Sequence, residues 1–178
     1  MGAFYNVYFM PENDGLYEKV KEFFLSNGKK YYDKAIMYLF KPEGKNVEFG
    51  LNFQEKNEDL MNDLSLNTNI PCVNLALADG ELTIITISSQ GKIVFRVQDN
   101  EKSEYASKDF QRIEDYKTLS KIFPQIDVAM FKEALTLGNE NTYDKLISIF
   151  EILHPEADDG WHLKEYYNGQ YERLEAQK

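Results

Sequence analysis

Apolar side chains along the first hundred residues recur mainly at every second position or in short β-branched and aromatic runs. After residue 100 they recur at every third and fourth position. Residues 4–9 are aromatic and β-branched and are closed off by Pro11 and Gly15, which predicts a strand. Leu16, Val20, Phe23 and Phe24 then fall at helical spacing, with Asn27-Gly28 as the stop. Residues 35–40 read as a second strand, ended by a turn at Pro42-Glu43-Gly44. Val47, Phe49, Leu51 and Phe53 alternate with Asn46, Glu48, Gly50 and Asn52. That period of two predicts a strand with one buried and one wet face. Residues 55–66 form a helix on an apolar stripe of Leu60, Met61 and Leu64.

Asp79-Gly80 separates two apolar runs, 72–78 and 81–88, and predicts a two-residue hairpin turn of the primed type. In that register Leu77 faces Leu82, Leu75 faces Ile84, and Ala76 and Thr83 share the other side. A further strand, 92–98, follows Ser89-Gln90-Gly91, with Phe95 opposite Ile84 or Ile85 according to loop length. The helical part divides into segments 115–122, 126–137, 142–153 and 161–174, punctuated by Pro124, Gly138, Pro155 and Gly160. The pattern is that of an α+β chain, with a mainly antiparallel sheet of about six strands and a helical C-terminal third. Residues 1–178 form one domain with a sheet-rich part, 1–100, and a helical part, 101–178.

Charge adds a functional direction. The chain carries 30 acidic and 20 basic residues, a net charge of −10, and its only arginines are Arg96, Arg112 and Arg173. Phosphate backbones are held by Lys and Arg, so direct nucleic-acid binding is disfavoured. An acidic surface steers a basic protein partner, or simply keeps the chain soluble. No stretch approaches the ~18 apolar residues that span a bilayer, and the N-terminus shows no secretory pattern. With a single cysteine, Cys72, expected as a small buried strand residue, the expected compartment is the cytoplasm.

From Asn57 to Gly91 there is no Lys or Arg. Glu55, Asp59 and Asp63 repeat at four-residue spacing on the predicted helix, and Asp79 follows at the hairpin. A solvated helix face explains such a row, and so does a surface awaiting a cation; paired catalytic carboxylates are a weaker third reading. Trp161 and Tyr167, on the last predicted helix, are candidate anchors, because Trp and Tyr bury large area at low entropic cost, while Leu163, Tyr166, Tyr167 and Leu174 also read as a core-facing helical stripe. These residues together suggest an acidic module that occludes a basic partner, as an immunity protein or an inhibitor does.

The alternative lies in one loop. His154, Asp158, Asp159 and His162 are imidazoles and carboxylates within reach of one another, the ligand types of zinc, manganese or iron. They would serve a small metal-dependent hydrolase, although the spacing matches no metal signature. Asp158 or Asp159 equally serves to cap the helix that follows. No phosphate loop, dinucleotide fingerprint or nucleophile elbow is present, so the sequence implies no cofactor and no catalytic residues. A structural subunit of a homo-oligomer is a third reading.

Overall fold

A computed structural model describes residues 4–157 and 163–177. Its strands are β1 (Phe4–Pro11), β2 (Ile36–Phe40), β3 (Asn46–Leu51), β4 (Cys72–Ala78), β5 (Leu82–Ser89), β6 (Lys92–Gln98), β7 (Ile113–Glu114) and β8 (Tyr171–Glu175). Its helices are α1 (Leu16–Asn27), α2 (Asn57–Thr68), α3 (Tyr116–Ile122), α4 (Val128–Ala134), α5 (Asn139–Phe150) and α6 (Leu163–Tyr167). The strands form one eight-stranded sheet in the order β7-β6-β5-β4-β1-β3-β2-β8, antiparallel at every pairing. The chain is therefore α+β with one antiparallel sheet, but of eight strands rather than six.

Strand alternation sorts the side chains onto two faces, both of them covered by helix. On one face Tyr8, Met10, Phe49 and Cys72 pack with Leu16, Val20 and Phe24 of α1 and with Leu60, Met61 and Leu64 of α2. On the other, Val7, Phe9, Leu75, Ile85 and Phe95 pack with Leu119, Phe131, Leu146, Phe150 and Leu163 from the C-terminal helices. This second layer changes the expectation for β3. Its wet face is not wet: every residue from Asn46 to Leu51 is buried, because the segment after α5 closes over Asn46 and Glu48.

The Asp79-Gly80 turn forms as expected, with both residues at positive φ and the Glu81 amide donating to the Ala78 carbonyl at 2.9 Å. Glu81 is nevertheless an extra residue, so the ladder pairs Ala78 with Leu82, Leu77 with Thr83 and Leu75 with Ile85. The register is one step from that expected. Gln90-Gly91 makes a second turn of positive φ, and an irregularity at Ile87/Ser88 places Phe95 opposite Ile87, two positions beyond the nearer expectation.

The helical C-terminal third is also corrected. Gly169, at φ +77, ends α6, and the chain then pairs as β8 along β2 instead of continuing to residue 174 as helix. Leu174 faces the α1 side of the sheet and not a helical stripe. Helix starts move for local reasons. Lys56 at φ 58 delays α2 to Asn57, so Glu55 falls outside the four-residue ladder. Asp127 accepts from the Ala129 and Met130 amides and so begins α4 two residues late. Glu151 at φ 54 ends α5 before Leu153, which is 48% exposed.

Candidate functional site

The acidic row of α2 survives in part. Asp59 and Asp63 are one helical turn apart and line a cleft of about 500 Å³ with Lys30, Tyr31, Lys56, Asn62 and Gly91. The Asp63 carboxylate accepts from the Lys30 ammonium and from the Tyr31 hydroxyl, each at 2.6 Å. Partial burial opposes ionisation of Asp63, but these two hydrogen bonds outweigh it and hold the carboxyl below its ordinary range. Burial and the same carboxylate push the Tyr31 phenol up. Asp59 is exposed and makes no ion pair among the described residues. Glu55 is exposed in the turn before α2. The cleft thus brings two carboxylates together with two of the chain's own ammonium groups: Lys30 is bound to Asp63, and Lys56 lines the cleft without an ion pair to Asp59 among the described residues.

Asp79 does not join them. It sits at one end of β5, on the turn from β4, whereas Gly91 of the cleft sits at the other end. Eight residues of strand separate the two, roughly 25 Å. Asp79 instead accepts from the Tyr105 hydroxyl at 2.9 Å, and that bond pushes the phenol up to about 12. Tyr105 in turn meets the edge of Phe4, with ring centroids 5.5 Å apart.

Tyr167 lies on the opposite face of the sheet from α2, 8% exposed, with its ring edge-on to Phe40 and its hydroxyl on the Glu156 carboxylate. Trp161, Asp158, Asp159 and His162 lie outside the described residues. His154 is described, and its surroundings are specific. Its ring stacks on Phe40 at 3.9 Å and 11°, and Nδ1 is 2.7 Å from Glu48 Oε2. The same carboxylate accepts the backbone amides of Leu153 at 2.9 Å and His154 at 2.8 Å. Both side chains of the pair are at most 5% exposed. Beside them the Asn46 amide donates to the Phe150 carbonyl at 2.8 Å and closes the end of α5. Chemically this is a latch: a buried carboxylate with three donors from one segment, fixing residues 151–157 against β3. Among the described residues no group of three His, Cys, Asp or Glu side chains is arranged to hold a metal.

Glu48 carried no signal as a partner of His154, because alternation alone assigned it to solvent. The signal available was the pair Asn46 and Glu48, the two polar side chains of a strand otherwise made of Val47, Phe49, Gly50 and Leu51. Cys72 is buried in β4 as expected, and burial raises its thiol. Comparison with protein-family models, with curated proteins and with solved structures finds no match to this chain. No helix among the described residues is long and apolar enough to cross a membrane.

Proposed function

We propose that the chain is an acidic binding module that occludes a basic protein partner, as an immunity protein does to a toxin or an inhibitor to an enzyme. The observation that carries this reading is the α2 cleft. Asp63 already holds a lysine ammonium at 2.6 Å, and Asp59 beside it is exposed and makes no ion pair among the described residues, with Lys56 also lining the cleft. A partner's Lys or Arg entering there meets one free carboxylate and a second one that can exchange Lys30 for it. The excess of negative charge over the whole chain, −10, draws such a partner in and orients it.

Affinity capture with the tagged chain at low salt tests the reading, with mass spectrometry of the retained proteins. The expected result is one basic protein at near-equal stoichiometry, released by high salt and absent with Asp59→Lys. Capture of no basic protein, or capture unchanged by salt and by Asp59→Lys, overturns it.

A further inference from the structure

Asparagine followed by glycine occurs twice in the chain, at Asn27-Gly28 and at Asn168-Gly169. The dipeptide carries its own chemistry. Glycine has no side chain to shield its amide nitrogen, so that nitrogen can close a five-membered ring on the asparagine side-chain carbonyl. The ring closes where the backbone is free to turn and the glycine N–H is not held in a hydrogen bond. The fold treats the two sites oppositely.

At the first site α1 holds the groups that the reaction needs. The Gly28 amide donates to the Phe24 carbonyl, and Gly28 keeps helical dihedrals at φ −54 and ψ −34. The Asn27 side-chain amide donates to the Phe23 carbonyl at 2.9 Å. Gly28 is buried, with Phe24 and Ala176 against it. At the second site Asn168 and Gly169 are both exposed, between α6 and β8. They are the two central residues of a turn closed by the Gln170 amide on the Tyr167 carbonyl at 3.0 Å, a bond that makes no use of the Gly169 amide. Gly169 is at φ +77, and an added Cβ there would meet no atom within 4 Å. Among the described residues neither the Asn168 side chain nor the Gly169 amide has a hydrogen-bond partner.

We propose that Asn168 is a deamidation site, at which the chain converts on standing to aspartate and isoaspartate. The Gly169 nitrogen gives up its proton and bonds to the side-chain carbonyl carbon of Asn168. The bond from that carbon to the side-chain nitrogen breaks, and the nitrogen leaves with a proton as ammonia. Water then adds to one of the two ring carbonyls and opens the succinimide, to aspartate or to isoaspartate, with no change of oxidation state. The product stands where the chain enters β8. Lys41 donates its ammonium to the Gly169 carbonyl at 2.6 Å and its amide to the Gln170 carbonyl at 2.8 Å. Isoaspartate routes the main chain through the side-chain carbon and lengthens this turn, which loosens the Lys41 contacts and the first pairs of β8 with β2. Either product adds negative charge to an already acidic chain.

The test is an incubation of the whole folded chain at mildly alkaline pH. Peptide mass spectrometry follows both dipeptides, and enzymatic methyl labelling counts isoaspartate. Asn168 is expected to convert at least about tenfold faster than Asn27 in the folded chain. The two rates are expected to converge in urea, where α1 no longer protects Asn27. Asn168→Gln is expected to remove the label that the folded chain gains. Conversion of Asn27 as fast as Asn168, or a gap that persists in urea, overturns the proposal. So does an Asn168 that stays intact in the folded chain while a short peptide of residues 166–171 converts.

Discussion

Glu48 is the residue on which most of the C-terminal layer depends. A buried carboxylate is tolerated when it is hydrogen-bonded and paired, and removing one member of a buried pair leaves the other uncompensated. Glu48→Ala strands the His154 imidazole and two backbone amides together. We expect it to lower stability by about 3–5 kcal/mol in urea unfolding, with Glu48→Gln losing less because it keeps one acceptor oxygen. Equal stability of Glu48→Ala and the wild type would remove the latch from the account. Asp63 makes the opposite kind of contribution, from a partly exposed pair whose energy solvent screens. Its carboxyl titrates lower in the folded chain than in the unfolded one. The unfolded state therefore takes up the proton first as pH falls. The contribution is whole above the ordinary carboxylate pKa near 4 and is lost as pH drops through the lower folded value. Asp63→Asn should accordingly lower stability by a small, nearly constant amount above about pH 4, and the difference from the wild type should close as pH falls below that.

At the scale of elements, what could be read from the sequence was what is local. The apolar stripes of α1 and α2 and the primed turn at Asp79-Gly80 need only neighbouring residues, and they form. What failed needed a distant partner. The burial of Glu48 is decided by His154, 106 residues away. Strand β8 is decided by β2, although Asn168-Gly169 marked the break locally. Register slipped because one extra residue, Glu81, is invisible to a pattern that looks the same shifted by one. Of the candidate site, Asp59 and Asp63 were legible as neighbours on one helix, while Asp79 and Tyr167 could be placed only by the fold. Strand β8 also explains Gly28, where backbone conformation is ordinary at φ −54 but an added Cβ would stand 2.7 Å from the Ala176 Cβ and 3.1 Å from the Phe24 ring. Gly28→Ala should cost about 1–3 kcal/mol through overpacking. Adding Ala176→Gly should recover much of it in a double-mutant cycle. No recovery would mean that the close approach of the residue after α1 to the residue after β8 is not what Gly28 serves.

Over the whole molecule, helices pack on both faces of one antiparallel sheet, and Asp59 and Asp63 lie at the opposite end of β5 from Asp79. The cleft at Asp59 and Asp63 gathers charged side chains of both signs, whereas at the other end of β5 the exposed rings are those of Phe4 and Tyr105. Of the aromatics named from the sequence, Tyr167 is in the core and Trp161 lies outside the described residues, while Phe4 and Tyr105 are exposed.

The most direct measurement is the association rate of the chain with a basic protein recovered by the affinity capture, followed from low to high ionic strength for the wild type and for Asp59→Lys. An acidic occluding module predicts a wild-type rate that falls by about tenfold or more as salt rises, and a slower, salt-flattened rate for the variant. A rate indifferent to salt and to Asp59→Lys would contradict the account.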